Sequence, residues 1–468
     1  MNKKIKIFLN NKVLNASIWY IISDFFSKGI VFITLPIFTR IMNTSEFGMY
    51  SLFNSWVSIF TIFIGLNLTS SVFRYKYDNS AKHSEFTSSI SFLAVIVLFG
   101  FMGIFVIFQD YLLDIMGISL ILFLLIVFNS FFNFIKEILI TKMRTDYQYK
   151  GISIINIFST ICNILLSIYL IQYVFIENRD MGRILGQSII TFIVGIIILI
   201  YIILKGKTLV NIEYWKYGLS FSLPLIVHSL SSVINNQFDR IMINHYIGES
   251  ATGIYSFAYT IGTIIMILWS SSNQAFSPWF FEKMQEKNYE KIREKSVYYR
   301  GLFTFIYAMI LFVTPEIIKL IAEESYWDGL NLVPWIFMSY YFLFLVSFEA
   351  KVEQYFKRNK LVSLGTLISA LINIVLNVIL IPIYGYKIAA ITTVISYLFM
   401  LIFHYIFTSK VIKFNIVGMK FYLVSIVYVL GITLYYFLFI DYLLLRIMGF
   451  LLLVPMAIRS IKPFINRS

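Results

Sequence analysis

Asp24 and Lys28 stand four residues apart in an apolar stretch running from about 17 to 39, which sets them on one helix face a turn apart. At 1.5 Å per residue Lys28 lies about 15 Å into that helix, near the middle of a hydrocarbon core about 30 Å thick. A charge at that depth is costly, so it turns toward a bundle interior or toward water. Two uses fit: Lys28 receives an anionic group while Asp24 holds it or exchanges a proton, or the two neutralise each other. Arg74 closes the second apolar run, where a planar guanidinium can take an oxyanion bidentately or reach out to the membrane surface.

His228 falls near the middle of the seventh run, with Asn235, Asn236 and Gln237 about two turns further along. An imidazole there is either a hydrogen-bonded packing group or a proton carrier. Asn67, Asn156, Asn163, Asn373 and Asn377 bring amides to membrane depth, able to bond ligand hydroxyls or to join helices. Asp239 and Arg240 close the seventh run; being adjacent, they do not share a helix face and serve different partners, in a structural or gating role that Arg40 shares at the end of the first run. Glu349, Lys351 and Glu353 bracket the end of the tenth run and read as an interface cluster, and His404 lies near the end of the twelfth. Neither a metal-ligand cluster nor a phosphate loop nor a catalytic triad has the required spacing, and Cys162 is the sole cysteine, so no metal, cofactor or disulfide is expected.

Elements that cross a membrane must position these residues. The chain of 468 residues is 59 % hydrophobic and 13 % charged, about half the charge of a soluble domain. Its apolar runs of roughly 20 residues match a membrane-crossing helix, and runs apolar almost throughout, such as Phe92 to Phe108, exclude alternating barrel strands. The runs predict an all-α integral membrane protein of about fourteen transmembrane helices. They fall near 17–39, 48–70, 86–108, 115–135, 151–174, 184–204, 217–238, 251–273, 301–322, 330–349, 361–382, 387–408, 419–439 and 442–461. With a cytoplasmic amino terminus, 30 of the 38 Lys and Arg fall in inner segments and 7 in outer ones, whereas the acids divide evenly. That is the positive-inside pattern, and it accounts for the formal charge of +14 without a nucleic-acid partner. Both termini are then cytoplasmic.

Arg40-Ile41-Met42 followed by Gly48-Met49-Tyr50-Ser51 returns as Arg240-Ile241-Met242 followed by Gly253-Ile254-Tyr255-Ser256, and Asn163-Ile164-Leu165-Leu166 returns as Asn373-Ile374-Val375-Leu376. Six helices separate each matched pair, an even number, so the copies share one orientation, as in parallel transporter repeats with a substrate path between the halves. This predicts six-helix bundles over 1–209 and 210–410 and an appended helix pair over 411–468.

The second half resembles the oligosaccharide and polysaccharide flippases of the multidrug, oligosaccharidyl-lipid and polysaccharide exporter superfamily. The likeness rests on Ser222-Leu223-Pro224, Asp239-Arg240, Gly253-Ile254-Tyr255-Ser256, and the run from Asn373 through Asn377, Ile381-Pro382 and Tyr384-Gly385 to Ala389-Ala390. At the amino end it rests on Leu35-Pro36 through Arg40 to Glu46-Phe47-Gly48-Met49-Tyr50. The resemblance implies a transporter without enzymatic activity in the cytoplasmic membrane of a bacterium, turning an undecaprenyl-pyrophosphate-linked oligosaccharide to the outer leaflet for capsule, O-antigen or a related glycan. It implies alternating access, with membrane lipids as neighbours and H+ or Na+ as a coupling ion. The cavity candidates are then Asp24, Lys28, Asn67, Arg74, His228, Asn235 and Asn236, with Lys28 or Arg74 meeting the pyrophosphate. Three rivals stand beside it: a multidrug exporter, whose cavity should favour carboxylates; a peptidoglycan-precursor flippase; and a membrane-embedded glycan polymerase, for which the short outer segments leave no room.

Overall fold

The computed structural model of the protein describes residues 29–465 except Val31. Asp24 and Lys28 lie outside the described residues. The described residues form helices and no strand, and thirteen of these helices are long and apolar enough to cross a membrane. In chain order the helices are α1 Phe32–Ile41, α2 Thr44–Gly65, α3 Thr69–Asp78, α4 His83–Ile107, α5 Gln109–Met116, α6 Leu120–Thr145, α7 Tyr149–Tyr173 and α8 Arg179–Gly206. Then follow α9 Ile212–Tyr246, α10 Glu249–Gln285, α11 Tyr289–Ile321, α12 Val333–Tyr355, α13 Asn359–Tyr384, α14 Ile388–Ile406, α15 Met419–Leu438 and α16 Leu443–Ile465. The molecule is a multi-pass membrane protein.

The described helices pack into two compact units, divided between Ile241 and Met242. In the first, α2 starts at a capping box: the Asn43 side chain accepts from Glu46 N at 2.9 Å and Glu46 accepts from Asn43 N at 2.7 Å, satisfying two orphan donors. The predicted second span, 48–70, breaks where Leu66 and Asn67 adopt positive φ of 45° and 53°, and α3 continues as a separate short helix. The predicted fourth span, 115–135, runs further than its apolar stretch. Ser119 caps its start, accepting from Leu122 N at 3.3 Å, and the helix continues past the Lys136-Glu137 pair. Buried Ile138, Leu139 and Ile140 carry it on, and Lys142 in its last turn has Nζ 2.7 Å from Ser84 Oγ.

In the second unit α12 is the most enclosed span, with 83 % of its apolar window buried. The segment between the predicted spans 251–273 and 301–322 is nearly all helix, since α10 runs to Gln285 and α11 begins at Tyr289. The two final helices are both present. Arg446 on α16, 2 % exposed, binds Glu316 and the Phe312 carbonyl of α11. Thr433 on α15 bonds Tyr307 on α11 at 2.9 Å.

Candidate functional site

Small residues set the site up. Gly182 and Gly186 form a small-xxx-small ridge on α8, and a Cβ built on Gly186 would lie 2.6 Å from Ser167 Cα. With no Cβ in the way, α7 comes close enough for Arg183 Nη1 to donate to Asn163 Oδ1 at 2.9 Å and to Ser167 Oγ at 2.8 Å. Its guanidinium also lies 3.9 Å from the Phe38 ring centroid and 4.7 Å from that of Tyr50, contacts worth about 2 kcal/mol when desolvated. One turn on, Gln187 accepts from Tyr50 Oη at 2.7 Å and donates to Asn54 Oδ1 at 2.9 Å. Arg179 Nη1 holds the Ile41 carbonyl at 2.7 Å, tying the end of α1 to this layer.

Beside it opens a cavity of about 180 Å³ among α6, α7 and α8, lined by Asn133, Lys136, Ser159, Thr160, Asn163, Gln187 and Thr191. Lys136 lies about 24 Å along a helix about 39 Å long, which exceeds a hydrocarbon core about 30 Å thick. It makes no ion pair with a carboxylate among the described residues, so its charge is available to a ligand. The cavity shares Ser159 and Val194 with an apolar groove of about 400 Å³, lined also by Leu139, Ile154, Phe158 and Ile197. An ammonium in a cavity also lined by amides and hydroxyls suits an anionic, hydroxyl-rich head group, and the groove suits hydrocarbon.

The residues singled out in the sequence fall in several places. Asn163 lines this cavity, whereas Asn67 sits at the left-handed break after α2. Arg74 lies on α3, with Nη2 3.0 Å from Asp78 Oδ1 and a side chain 55 % exposed. The Tyr217 hydroxyl donates to Asp78 at 2.5 Å and, outweighing the opposing effect of burial, holds that carboxyl below the usual carboxylate range together with Arg74. His228 is half-buried, and its Nδ1 has no hydrogen-bond partner among the described residues. Asn235 is buried; Asn236 donates to the Ser232 carbonyl at 2.7 Å. Arg240 donates to the Asn236 carbonyl and to Gln237 Oε1, both at 2.7 Å, and Gln237 Oε1 also accepts from Ser55 on α2 at 3.2 Å, a helix-joining network. Asp239 is buried, and Arg40 is exposed at the end of α1.

Lys136, Asn133 and Gln187 escaped the sequence reading. The signal was available in the helix start: counted from Ser119, a span of about 20 residues already includes position 136. Glu349, Lys351 and Glu353 differ from the expected interface cluster, being 2 %, 4 % and 0 % exposed. The helix-end charges turn inward because His404, Thr408 and Tyr422 receive the two carboxylates.

The comparisons with known proteins agree with this architecture. A family model described as polysaccharide biosynthesis protein matches residues 13–285, and the MatE model matches 224–379. A Haemophilus influenzae protein of the Lsg locus is 23 % identical, covering 77 % of this chain and 89 % of the relative. The capsular polysaccharide biosynthesis protein CapF of Staphylococcus aureus is 24 % identical over 81 % of this chain and 95 % of its own length. Among solved structures, the lipid II flippase MurJ in an inward closed conformation superposes with a TM-score of 0.73 at 17 % identity, covering 94 % of this chain and 99 % of that one. An inward-facing multidrug resistance MATE family transporter gives 0.61 at 13 % identity, covering 83 % and 96 %. With a model matched over more than half its length and this transporter fold, the chain belongs to the polysaccharide biosynthesis protein family of the multidrug, oligosaccharidyl-lipid and polysaccharide exporter superfamily, and is a transporter rather than an enzyme.

Proposed function

We propose that the protein moves an undecaprenyl-pyrophosphate-linked oligosaccharide from the cytoplasmic to the outer leaflet of a bacterial cytoplasmic membrane, for a capsule-like or O-antigen-like surface glycan. The observation that carries the reading is the cavity with Lys136 at membrane depth, opening beside an apolar groove. A pyrophosphate needs a cation where hydrocarbon surrounds it, sugar hydroxyls need amides and hydroxyls, and a polyprenyl tail needs neither. Lys136 receives the pyrophosphate, and Asn133, Asn163 and Gln187 meet the sugar.

The repeat-based halves, 1–209 and 210–410, work by alternating access, driven by H+ or Na+, with 411–468 appended and both termini cytoplasmic. Lys28 and Asp24 enter on sequence grounds alone, as a second cation toward the same pyrophosphate and its counter-charge. In that role Lys28→Arg keeps part of the transport, and the paired change Asp24→Asn with Lys28→Gln restores abundance without export. Deleting the gene tests the function: a lipid-linked oligosaccharide should accumulate on the inner leaflet. Accumulation of a peptidoglycan precursor instead, or loss of drug resistance with surface glycan intact, would move the protein to another branch of the superfamily.

A further inference from the structure

The second unit buries a group of titratable side chains that the cavity in the first does not use. Glu353 on α12 and His404 on α14 are both 0 % exposed, with Nδ1 2.8 Å from Oε1. Neither the other carboxylate oxygen, Oε2, nor the other ring nitrogen, Nε2, meets a hydrogen-bond partner among the described residues. Gly365 on α13 stands against that nitrogen, so closely that a Cβ there would lie 2.3 Å from it. One turn before Glu353, Glu349 accepts from the Tyr422 hydroxyl of α15 and lies 2.5 Å from Thr408 Oγ1. The Thr408 hydroxyl also reaches the His404 carbonyl at 3.0 Å, and it has one proton to give.

We propose that Glu353 and His404, backed by Glu349, form a proton-binding site that loads and unloads in the transport cycle. The inference rests on the transporter reading and names its coupling ion. Three features carry it.

The first is the proton count. With a proton on Nδ1 and an ionised Glu353 the pair is singly negative; one further proton makes it neutral, and the contact between Nδ1 and Oε1 survives in both states. The second is the pair of unmet atoms. A permanent buried ion pair is expected to have its remaining N–H and oxygen satisfied, since each unmet group costs about 1–3 kcal/mol. Here both are open. The third is Glu349, which has partners in either state: ionised, it accepts from Tyr422 and Thr408; protonated, it donates to Thr408, whose own proton turns to the His404 carbonyl. The two carboxyls stand four residues apart on one helix face, so a change of charge on Glu353 is felt at Glu349.

Among the described residues no Lys or Arg pairs with the group. Lys351, on α12 itself, points Nζ to the Ser347 carbonyl at 3.1 Å and lies 5.6 Å from the Phe276 and Phe348 rings. From α11, Arg300 holds the Phe421 carbonyl at 3.1 Å, and from α10, Lys283 is closed by Glu282 at 2.9 Å and Glu286 at 2.6 Å. Beyond His404, α14 brings Tyr405, edge-on to Tyr422 with ring centroids 5.5 Å apart, and α13 brings Gly365. A change of one charge in this spot alters what holds α12 to α14, a packing step that a transport cycle can exploit.

Two readouts keep this proposal apart from the transporter reading. In the first, the purified protein is titrated from acid to neutral pH and proton uptake is counted. Glu353→Gln and His404→Gln should each take up about one proton fewer than the unaltered protein. Equal uptake by all three overturns the site. In the second, vesicles holding the unaltered protein and a lipid-linked oligosaccharide carry an entrapped pH dye. Flipping accompanied by proton movement, and flipping without it in Glu353→Gln, is the expected result. Flipping by the unaltered protein with no proton movement sinks the proton site and leaves the transporter standing. Should the variants fold poorly, a hydrophobic carbodiimide replaces them: it should label Glu353 of the unaltered protein at low pH and progressively less as pH rises, and pH-independent labelling contradicts the proposal.

Discussion

Asn163 and Asn373 make the same connection 210 residues apart. Asn163 accepts from Arg183, twenty residues further along, at 2.9 Å, and Asn373 donates to Thr393, also twenty residues further along, at 3.3 Å. Each also bonds the residue four positions on, Ser167 to Asn163 at 3.2 Å and Asn377 to Asn373 at 3.2 Å. The repeat seen as a string of letters is thus a repeated way of joining two consecutive helices. Where the first unit places an arginine, the second places a threonine.

Arg183 should therefore matter to folding in its unit. Arg183→Met keeps the stem but removes the cation from the Phe38 and Tyr50 rings and the donors from Asn163 and Ser167. We expect a loss of about 1–3 kcal/mol, read as a lower unfolding temperature in detergent. An unchanged midpoint would mean that the stack and its hydrogen bonds are dispensable.

Two glycine substitutions should act in opposite directions. Gly186→Ala drives a Cβ into the Ser167 backbone and should destabilise by about 1–3 kcal/mol. Gly100→Ala meets nothing within 4 Å, and its better helix propensity should add up to about 1 kcal/mol. Equal behaviour of the two in a thermal melt would contradict the close approach of α7 to α8.

Asp328, in the turn before α12, predicts a pH effect. Burial pushes its carboxyl upward, but the Lys387 ammonium at 2.5 Å and the Tyr386 hydroxyl together hold it below the usual carboxylate range. Its stabilising contribution is then fully present at neutral pH and disappears as pH falls through that lowered value. The pair is about half exposed, so the effect is small. Asp328→Asn should lower the melting temperature slightly at neutral pH and not in strong acid, and an equal shift at both would count against the linkage.

Arg446→Met should separate the last helix from α11. It leaves Glu316 and the Phe312 carbonyl without their donor, and removing one member of a buried pair costs about 3–5 kcal/mol, less here because Glu316 is 39 % exposed. Reduced membrane abundance is expected; normal abundance would show the helix to be peripheral to the fold.

Hydrophobic run length revealed nearly every span, because the bilayer demands the same thing of each. Residue-level placement was legible only where neighbours in sequence decide it. Lys136 looked like the end of a span, since charged residues close many of the apolar runs, and its place inside α6 depends on what buries Ile138, Leu139 and Ile140. Glu353 looked like an interface charge because its partner, His404, is 51 residues away. The break after Gly65 left no mark either: a leucine rarely adopts left-handed geometry, so nothing at position 66 announced its φ of 45°.

Lys136 is the residue on which transport should depend most. In vesicles of purified protein, the transfer of an undecaprenyl-pyrophosphate-linked oligosaccharide between leaflets can be followed by enzymatic access to the sugar. At equal folded abundance, Lys136→Arg should retain much of the rate, and Lys136→Gln should lose roughly ten- to a hundredfold, as expected for one charge-assisted hydrogen bond. A Lys136→Gln protein that moves the lipid at the unaltered rate would contradict the cavity as the path of the pyrophosphate.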